Sequence, residues 1–437
     1  MPSWVQVRLF EATQPPVTRL SISGLFEVQS MDLPKVGMPP ALSACALAGG
    51  GGAGYRSVVV STTVKTGDRG RLSVRIQRSA PAHLSSPYAQ HSNHATAKPC
   101  PPVLLRQLRL RSLPGQALRL TRLDVASGRD TRPPHASSRS ISGDLSIGLD
   151  SSGGLRPVLQ LPAPRYVAAV VASETKPGWP TEALKAQAIL TQTRLRRTGG
   201  NVPVVGDSTQ GEWFSGLDRI SPAVQRAVGA VWGQWLAYNG RPAVVYYHAA
   251  CGGKTTSPGW FAGVGRLDPR GQQFPAYLRG VRCPYCRWAK TQAPLSWPTV
   301  YRLNATELSR LGLGRVPPKV IRWDETQRPL LLQLASGQQM SAYAFWLRVG
   351  QVLGWDKLPA SLFQLTSVTG SSTLPAVASG WELRSWGLGH GVGLCQWGAA
   401  AQARRGKKAE QILRFYFPGA QLRSSVQVAA PKRSKGI

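Results

Sequence analysis

A chain of 437 residues with 42% hydrophobic side chains is long enough for two or three ordinary domains and can bury a sizeable core, which excludes a small stapled module. Lys and Arg outnumber Asp and Glu by 53 to 20, and the resulting formal charge of +33 favours nucleic acid, an anionic membrane surface and an anionic cell wall alike. The excess is not a tail, since residues 1–160 already carry 19 basic against 8 acidic side chains, and no single stripe stands out as a nucleic-acid footprint.

In chain order, Val5 to Phe10 and Leu20 to Val28 alternate apolar and polar residues as half-buried strands do. Further strands are expected at Ser57 to Val64 and Leu72 to Ile76, set among a Gly run, a Ser/His/Pro-rich stretch from Ser79 to Pro102 and the Arg-dense segment Arg106 to Arg139. Residues 1–145 therefore read as a β-rich, partly disordered N-terminal region without chemistry of its own. A strand signal at Ser146 leads through Gly153-Gly154 to Pro157 and then to an apolar run, Tyr166 to Glu174, strand-like or helical by its composition. An Ala-rich helix follows over Thr181 to Arg197, entered at Pro180 and Glu182 and left at Gly199-Gly200. A second helix is expected near Pro222 to Trp235 and a strand at Ala243 to His248. A Gly/Trp/His loop spans Trp386 to Gly398, and two helical runs follow, the second closed by Pro418-Gly419. The fold class is α+β: a mixed domain over 146–423 with helices around short strands, then a basic disordered tail at 424–437.

No run of about 18 apolar residues occurs, so no spanning helix is expected, and the N-terminus lacks the charged start and apolar core of a signal peptide. Of the six cysteines, Cys45 and Cys100 stand apart. The others gather into His248-Ala249-Ala250-Cys251 and Cys283-Pro284-Tyr285-Cys286, with Cys395 in the glycine loop. One imidazole and three thiolates, His248, Cys251, Cys283 and Cys286, match a closed tetrahedral zinc site that would hold Gly252 to Arg282 in place without catalysing. A Cys283–Cys286 redox pair and uncoordinated buried thiols are the other readings.

Glu174 is a carboxylate in an apolar run, a place where an acid either works or is paired with one of the many arginines. Apolar neighbours and nearby Trp179 disfavour its ionised form, as a general acid at neutral pH requires. In the Trp386 to Gly398 loop, glycine at every second position from 387 to 393 lets backbone approach a ligand closely and brackets one histidine, His390. Gln396 and the flanking tryptophans suit a carbohydrate or another ligand that presents both flat apolar faces and hydroxyls; the alternative is a tight corner packed by Gly and Trp and capped by His390.

These segments, in this order, resemble the SpoIID/LytB family. The resemblance rests on Tyr166 and Glu174 followed by Trp179 to Ala188, on Tyr247 to Thr255, and on Gly389 to Ala399 with Tyr416 to Gly419, and it covers roughly residues 146–423. It departs from the family at Thr191-Gln192-Thr193-Arg194, where an Ala-Arg-Thr-Tyr ending is usual. The resemblance implies that 146–423 is a catalytic domain with a long substrate groove and that it performs lytic transglycosylation of peptidoglycan, cleaving between N-acetylmuramic acid and N-acetylglucosamine to leave a 1,6-anhydro end. One glutamate, Glu174, would serve as acid and then as base for the substrate's own C6 hydroxyl. Trp179, Thr209, Gln210, His390, Gln396 and Trp397 would contact glycan, a cell-wall amidase is a further possible partner, and the place of action would be extracytoplasmic, in the cell wall or periplasm. The rivals are a non-catalytic wall binder that enhances an amidase and, less favoured, a zinc-containing nucleic-acid binder, which the dispersed basic residues oppose.

Overall fold

The computed structural model describes residues 1–10, 19–30, 55–63, 71–77, 103–105, 107–112, 114–122, 138–207, 212–262, 274–286, 297–314, 316–368 and 380–425. The fold is α+β, and the chain divides into two compact units that do not follow chain order. One comprises Pro2–Lys176 and Thr198–Gln225; the other comprises Met1, Pro177–Arg197 and Arg226–Ile437. The boundary expected near residue 145 runs through a single sheet of the first unit, because strands on either side of it pair with one another.

That sheet has eleven strands: β1 (Trp4–Arg8), β2 (Arg19–Ser30), β3 (Tyr55–Thr63), β4 (Arg71–Gln77), β5 (Val103–Leu105), β6 (Leu108–Ser112), β7 (Leu118–Arg122), β8 (Ser138–Ile141), β9 (Asp144–Leu149), β10 (Leu155–Pro162) and β11 (Val204–Gly206). The main path runs β11-β1-β10-β9-β6-β2-β3-β4-β5, with β7 pairing β2 and β8. Alternation is visible in the burial: Val5 and Val7 of β1, Leu159 and Leu161 of β10, Leu145 and Ile147 of β9, and Leu108 and Leu110 of β6 all point into one core. Against β1 and β10 packs helix α1 (Ala163–Glu174), which starts on proline and buries every residue from Tyr166 to Ser173. Burial on all sides removes the 3.6-residue stripe, which is why the apolar run reads equally as strand or helix.

A buried ion pair, Arg139 with Asp207, pins β8 to the segment after β11. The Asp207 carboxylate also accepts the Phe10 N–H at 2.5 Å, and Arg139 Nη1 donates to the Phe214 carbonyl at 2.8 Å.

The second unit opens on α2 (Thr181–Thr198), buried nearly all round, with Glu182 in its first turn and Arg196 and Arg197 in its last. Two of its buried polar residues bond to backbone: Gln192 holds Gly233 N–H at 2.8 Å and the Val231 carbonyl at 3.0 Å, and Thr193 Oγ1 accepts Leu236 N–H at 2.9 Å. Gln192 and Thr193 of the Thr-Gln-Thr departure therefore anchor the 231–236 turn. The expected helix over 222–235 is shorter, α3 (Pro222–Ala230); Gly233, at φ 84°, reverses the chain and Trp235 lies on strand β12 (Gln234–Tyr238). Of the run expected as a strand at 243–248, only β14 (Tyr247–His248) is strand, pairing β21 (Leu394–Cys395); β13 (Arg241–Pro242), just before the run, pairs β12.

After α4 (Gly259–Ala262) come β15 (Thr299–Leu303), α5 (Ala305–Leu311), β16 (Lys319–Trp323), β17 (Pro329–Gln333), β18 (Gln339–Ser341), α6 (Ala342–Leu353), β19 (Phe363–Val368) and β20 (Gly380–Ser385). They share an apolar core of Leu303, Leu311, Leu332, Phe345, Val349, Phe363 and Trp381. The chain then passes through β21 into α7 (Gln396–Arg404) and α8 (Ala409–Tyr416), and β22 (Gln421–Ser424) pairs with β12. Among the described residues no helix is long and apolar enough to cross a membrane.

Candidate active site and thiolate cluster

Glu174 is the last residue of α1, partly buried. A carboxylate at a helix C-terminus faces the negative end of the helix dipole, so helix stability does not account for it. What fixes it is the segment 212–215 laid along the helix. Trp213 N–H donates to Glu174 Oε1 at 2.9 Å, and Ser215 N–H donates to Ser173 Oγ at 3.1 Å. Tyr166 hydroxyl bonds Glu212 Oε2 at 3.2 Å while its ring stacks on Phe214, with centroids 6.1 Å apart. Thr209 and Gln210 lie outside the described residues, but the residues that follow them reach the glutamate.

In the other unit, the glycine loop is laced to the segment 246–256. Leu388 and Ala250 exchange backbone hydrogen bonds at 2.8 and 3.0 Å, Thr256 N–H reaches the Gly391 carbonyl at 2.8 Å, and Leu394 N–H reaches the Tyr246 carbonyl at 2.9 Å. The alternating glycines make this approach possible. Gly393, at φ 73°, would put a Cβ 2.1 Å from the Tyr246 carbonyl oxygen, and Gly391, at φ 79°, would put one 2.8 Å from the Arg328 guanidinium. Close approach is thus to the chain's own backbone and to a buried arginine.

His390 Nδ1 accepts the Val392 N–H at 3.1 Å, so its proton sits on Nε2; burial pushes its pKa down to about 4 and keeps it neutral at neutral pH. Its ring lies 5.5 Å from that of His248 and 5.2 Å from that of Phe261. Trp179 meets Trp397 edge-on at 5.5 Å, and Gln396 Nε2 donates to Gln187 Oε1 at 3.3 Å. Trp397 and Gln396 are nearly buried, so both act first as packing between α2 and α7.

Cys251, Cys283, Cys286 and Cys395 are all buried, and their sulfurs lie within 4.8 Å of one another. These four could hold a metal ion. Cys395, and not the expected His248, stands with the other three cysteines in this group. His248 sits opposite Cys395 in the β14–β21 pair, and its Nδ1 is 3.0 Å from the Val392 carbonyl, so its ring is engaged with the glycine loop while the cysteine turns to the other sulfurs. Burial holds the His248 imidazole well below its usual pKa. The thiols share protons unevenly: burial pushes Cys251 and Cys395 up, while hydrogen bonding from Cys251 holds Cys283 and Cys286 down. The Gly253 and Gly398 N–H groups each donate to a sulfur, of Cys251 and Cys395, at 3.4 Å, and the Tyr416 hydroxyl is 3.2 Å from Cys283 Sγ. Cys45 and Cys100 fall outside the described residues.

Residues 151–238 match the family model described as SpoIID, stage II sporulation protein. The chain is similar to an uncharacterised protein of Brachyspira hyodysenteriae (28% identical, over 59% of this chain and 65% of that one). It is also similar to the amidase enhancer of Bacillus subtilis (25%, over 58% and 40%) and to the stage II sporulation protein D of the same organism (24%, over 61% and 75%). These matches support the resemblance to the SpoIID/LytB family. The chain spans about two thirds of the first of these relatives and less than half of the second.

The segments that carry the resemblance hold the glutamate, the histidine loop and two of the four sulfurs, those of Cys251 and Cys395. Sequence reasoning missed Cys395 as a member of the thiolate set, Arg328, and the 212–215 segment. For Cys395 a signal existed, a cysteine at the mouth of a helix one motif away from a Cys-x-x-Cys. For Arg328 none did, since it stands in an ordinary turn between strands.

Proposed function

We propose that this chain is a peptidoglycan lytic transglycosylase that cleaves the bond between N-acetylmuramic acid and N-acetylglucosamine and leaves 1,6-anhydro-N-acetylmuramic ends, with Glu174 as general acid and then general base. The observation that carries this reading is the partly buried Glu174 oriented by the Trp213 N–H at 2.9 Å at the end of α1. A single positioned carboxylate suits a reaction whose nucleophile is the substrate's own C6 hydroxyl: it protonates the leaving oxygen, then accepts the hydroxyl proton. In the same reading Trp179, His390, Gln396 and Trp397, with Thr209 and Gln210, contact the glycan, and the chain acts outside the cytoplasmic membrane. The four cysteines hold a structural zinc: four ligands at about 2.3 Å from a tetrahedral centre lie roughly 3.8 Å apart, and the Cys251–Cys286 sulfur separation of 3.4 Å within a cluster of 4.8 Å span suits that set. Four protein ligands leave no position for water, so the ion supplies rigidity and no chemistry.

A second reading, a wall-binding protein that enhances an amidase without cutting glycan, is favoured by the similarity to the Bacillus subtilis amidase enhancer. Mass spectrometry of peptide-free glycan strands incubated with wild type and with Glu174→Gln separates the two. Anhydro-ended fragments from wild type, reduced by at least about 100-fold in the variant, support the transglycosylase. Fragments from the variant at the wild-type rate remove Glu174 from the chemistry, and fragments from neither chain with retained glycan binding favour the amidase helper.

A further inference from the structure

Arg328 is 1% exposed, at the end of the turn that opens β17. Its hydrogen bonds end on neutral acceptors: Nε donates to Ser361 Oγ at 3.0 Å, Nη1 to Thr326 Oγ1 at 2.9 Å, and Nη2 to the carbonyls of Cys251 and Lys254 at 2.7 Å each. A fully buried guanidinium with no carboxylate on its N–H groups is costly unless negative charge stands close by. Asp324 stands at the start of the same turn, its oxygens occupied by Thr326, the Arg328 N–H and Thr256, and the Cys251 carbonyl on Nη2 sets the guanidinium beside the first cysteine of the cluster. Asp324 offsets part of the buried charge. Four thiolates on one divalent ion carry a net charge of −2, which a neighbouring guanidinium reduces.

The same side chain touches the histidine loop. A Cβ at Gly391 would stand 2.8 Å from both Nε and Nη2, so the guanidinium lies against the backbone beside His390. Its two carbonyl acceptors bracket the Cys251-Gly252-Gly253-Lys254 turn, in which Gly252 and Gly253 have φ of 75° and 121° and the Gly253 N–H donates to Cys251 Sγ. One residue therefore fixes the first cysteine knuckle by its carbonyls, sets its charge beside that cysteine and supports the glycine loop by its face.

We infer that Arg328 is the positioning residue and counter-cation of a four-thiolate metal centre formed by Cys251, Cys283, Cys286 and Cys395, and that it couples this centre to the loop carrying His390. The inference rests on the zinc reading above and adds to it a residue outside the ligands. Two full-length variants test it: Arg328→Met keeps the bulk and removes the charge, and Arg328→Lys keeps the charge and removes the fork. The readouts are zinc affinity by competition with a chelator and the thiolate-to-metal charge-transfer absorption after cobalt substitution, neither of which depends on enzyme activity. Arg328→Met is expected to bind zinc about 10- to 100-fold more weakly than wild type and to shift the cobalt band, and Arg328→Lys to recover part of that loss. Wild-type affinity and an unchanged cobalt spectrum in Arg328→Met would overturn the role of the arginine while leaving the zinc centre standing. Should Arg328→Met fail to fold, Arg328→Lys decides: affinity within about tenfold of wild type supports the role of charge, and loss as complete as in Cys395→Ser overturns it. A wild-type chain that takes up no zinc overturns both readings, and that result is distinguishable from tight binding by Arg328→Met.

Discussion

His390 carries a pH dependence whose sign follows from its burial. Its pKa is about 4 in the folded chain against 6.5 for an ordinary histidine, so between those values the unfolded chain binds a proton that the folded chain refuses. The stability associated with a neutral His390 is fully present above about pH 6.5 and is lost as the pH falls toward 4. Denaturant midpoints measured from pH 7.5 down to 4.5 are expected to fall less steeply for His390→Gln than for wild type; identical slopes would sink the assignment. His248 and Cys395 allow a second prediction at this scale. Because Cys395 stands in the sulfur cluster and His248 is turned to the Val392 carbonyl, Cys395→Ser is expected to lose zinc, while His248→Ala retains about one zinc per chain. Metal analysis of the two purified variants checks this, and the opposite pattern would restore the histidine as the ligand.

At the scale of elements, the glycine loop shows how much conformation alone explains. Gly199 and Gly393 have nearly the same left-handed φ, 74° and 73°, but a Cβ at Gly199 meets open space and one at Gly393 meets the Tyr246 carbonyl at 2.1 Å. Gly199→Ala is therefore expected to cost about 1–2 kcal/mol, the left-handed penalty alone. Gly393→Ala adds a backbone clash within the core and is expected to cost roughly 3–5 kcal/mol. Equal losses in urea denaturation would mean that the loop can move away from the 246–252 segment. The glycine pattern was legible in the sequence, but its reason was not. Alternation signalled close approach, and nothing in it said that the partner was the chain's own backbone. The strands near residues 5, 20, 57 and 72 and the helices at 181 and after 396 were legible because each keeps a one-sided pattern or explicit end signals. Helix α1 was ambiguous because burial on all sides leaves no stripe, and the 222–235 run was read too long because Gly233 and the following apolar residues form a turn into β12. Glu174 was legible as an acid out of place. Its orienting partner was not, because a backbone N–H leaves no mark in a sequence.

At the scale of the whole molecule, chain order and spatial organisation part company, since residues 198–225 return to the unit built from the first 176 residues. All four clustered cysteines belong to the other unit, and none of them lies on the eleven strands of the large sheet. Metal removal should then act on one unit and spare the other. Binding of an ion to the folded state alone stabilises that state by mass action, and a structural thiolate site contributes many times the thermal energy. A loss of even about 4 kcal/mol moves the midpoint of a unit of this size by roughly 8–16 °C, enough to resolve two transitions in calorimetry if they coincide with metal bound. Exhaustive chelation is thus expected to lower one transition by that margin and leave the second in place, with zinc restoring the first. A trace in which both transitions fall together would mean that the units unfold as one cooperative body, and a trace unaffected by chelation would mean that the four thiols hold the glycine loop without an ion. The cooperative outcome would carry the stronger consequence for function, because the rigidity supplied by the sulfurs would then reach Glu174 as well as His390.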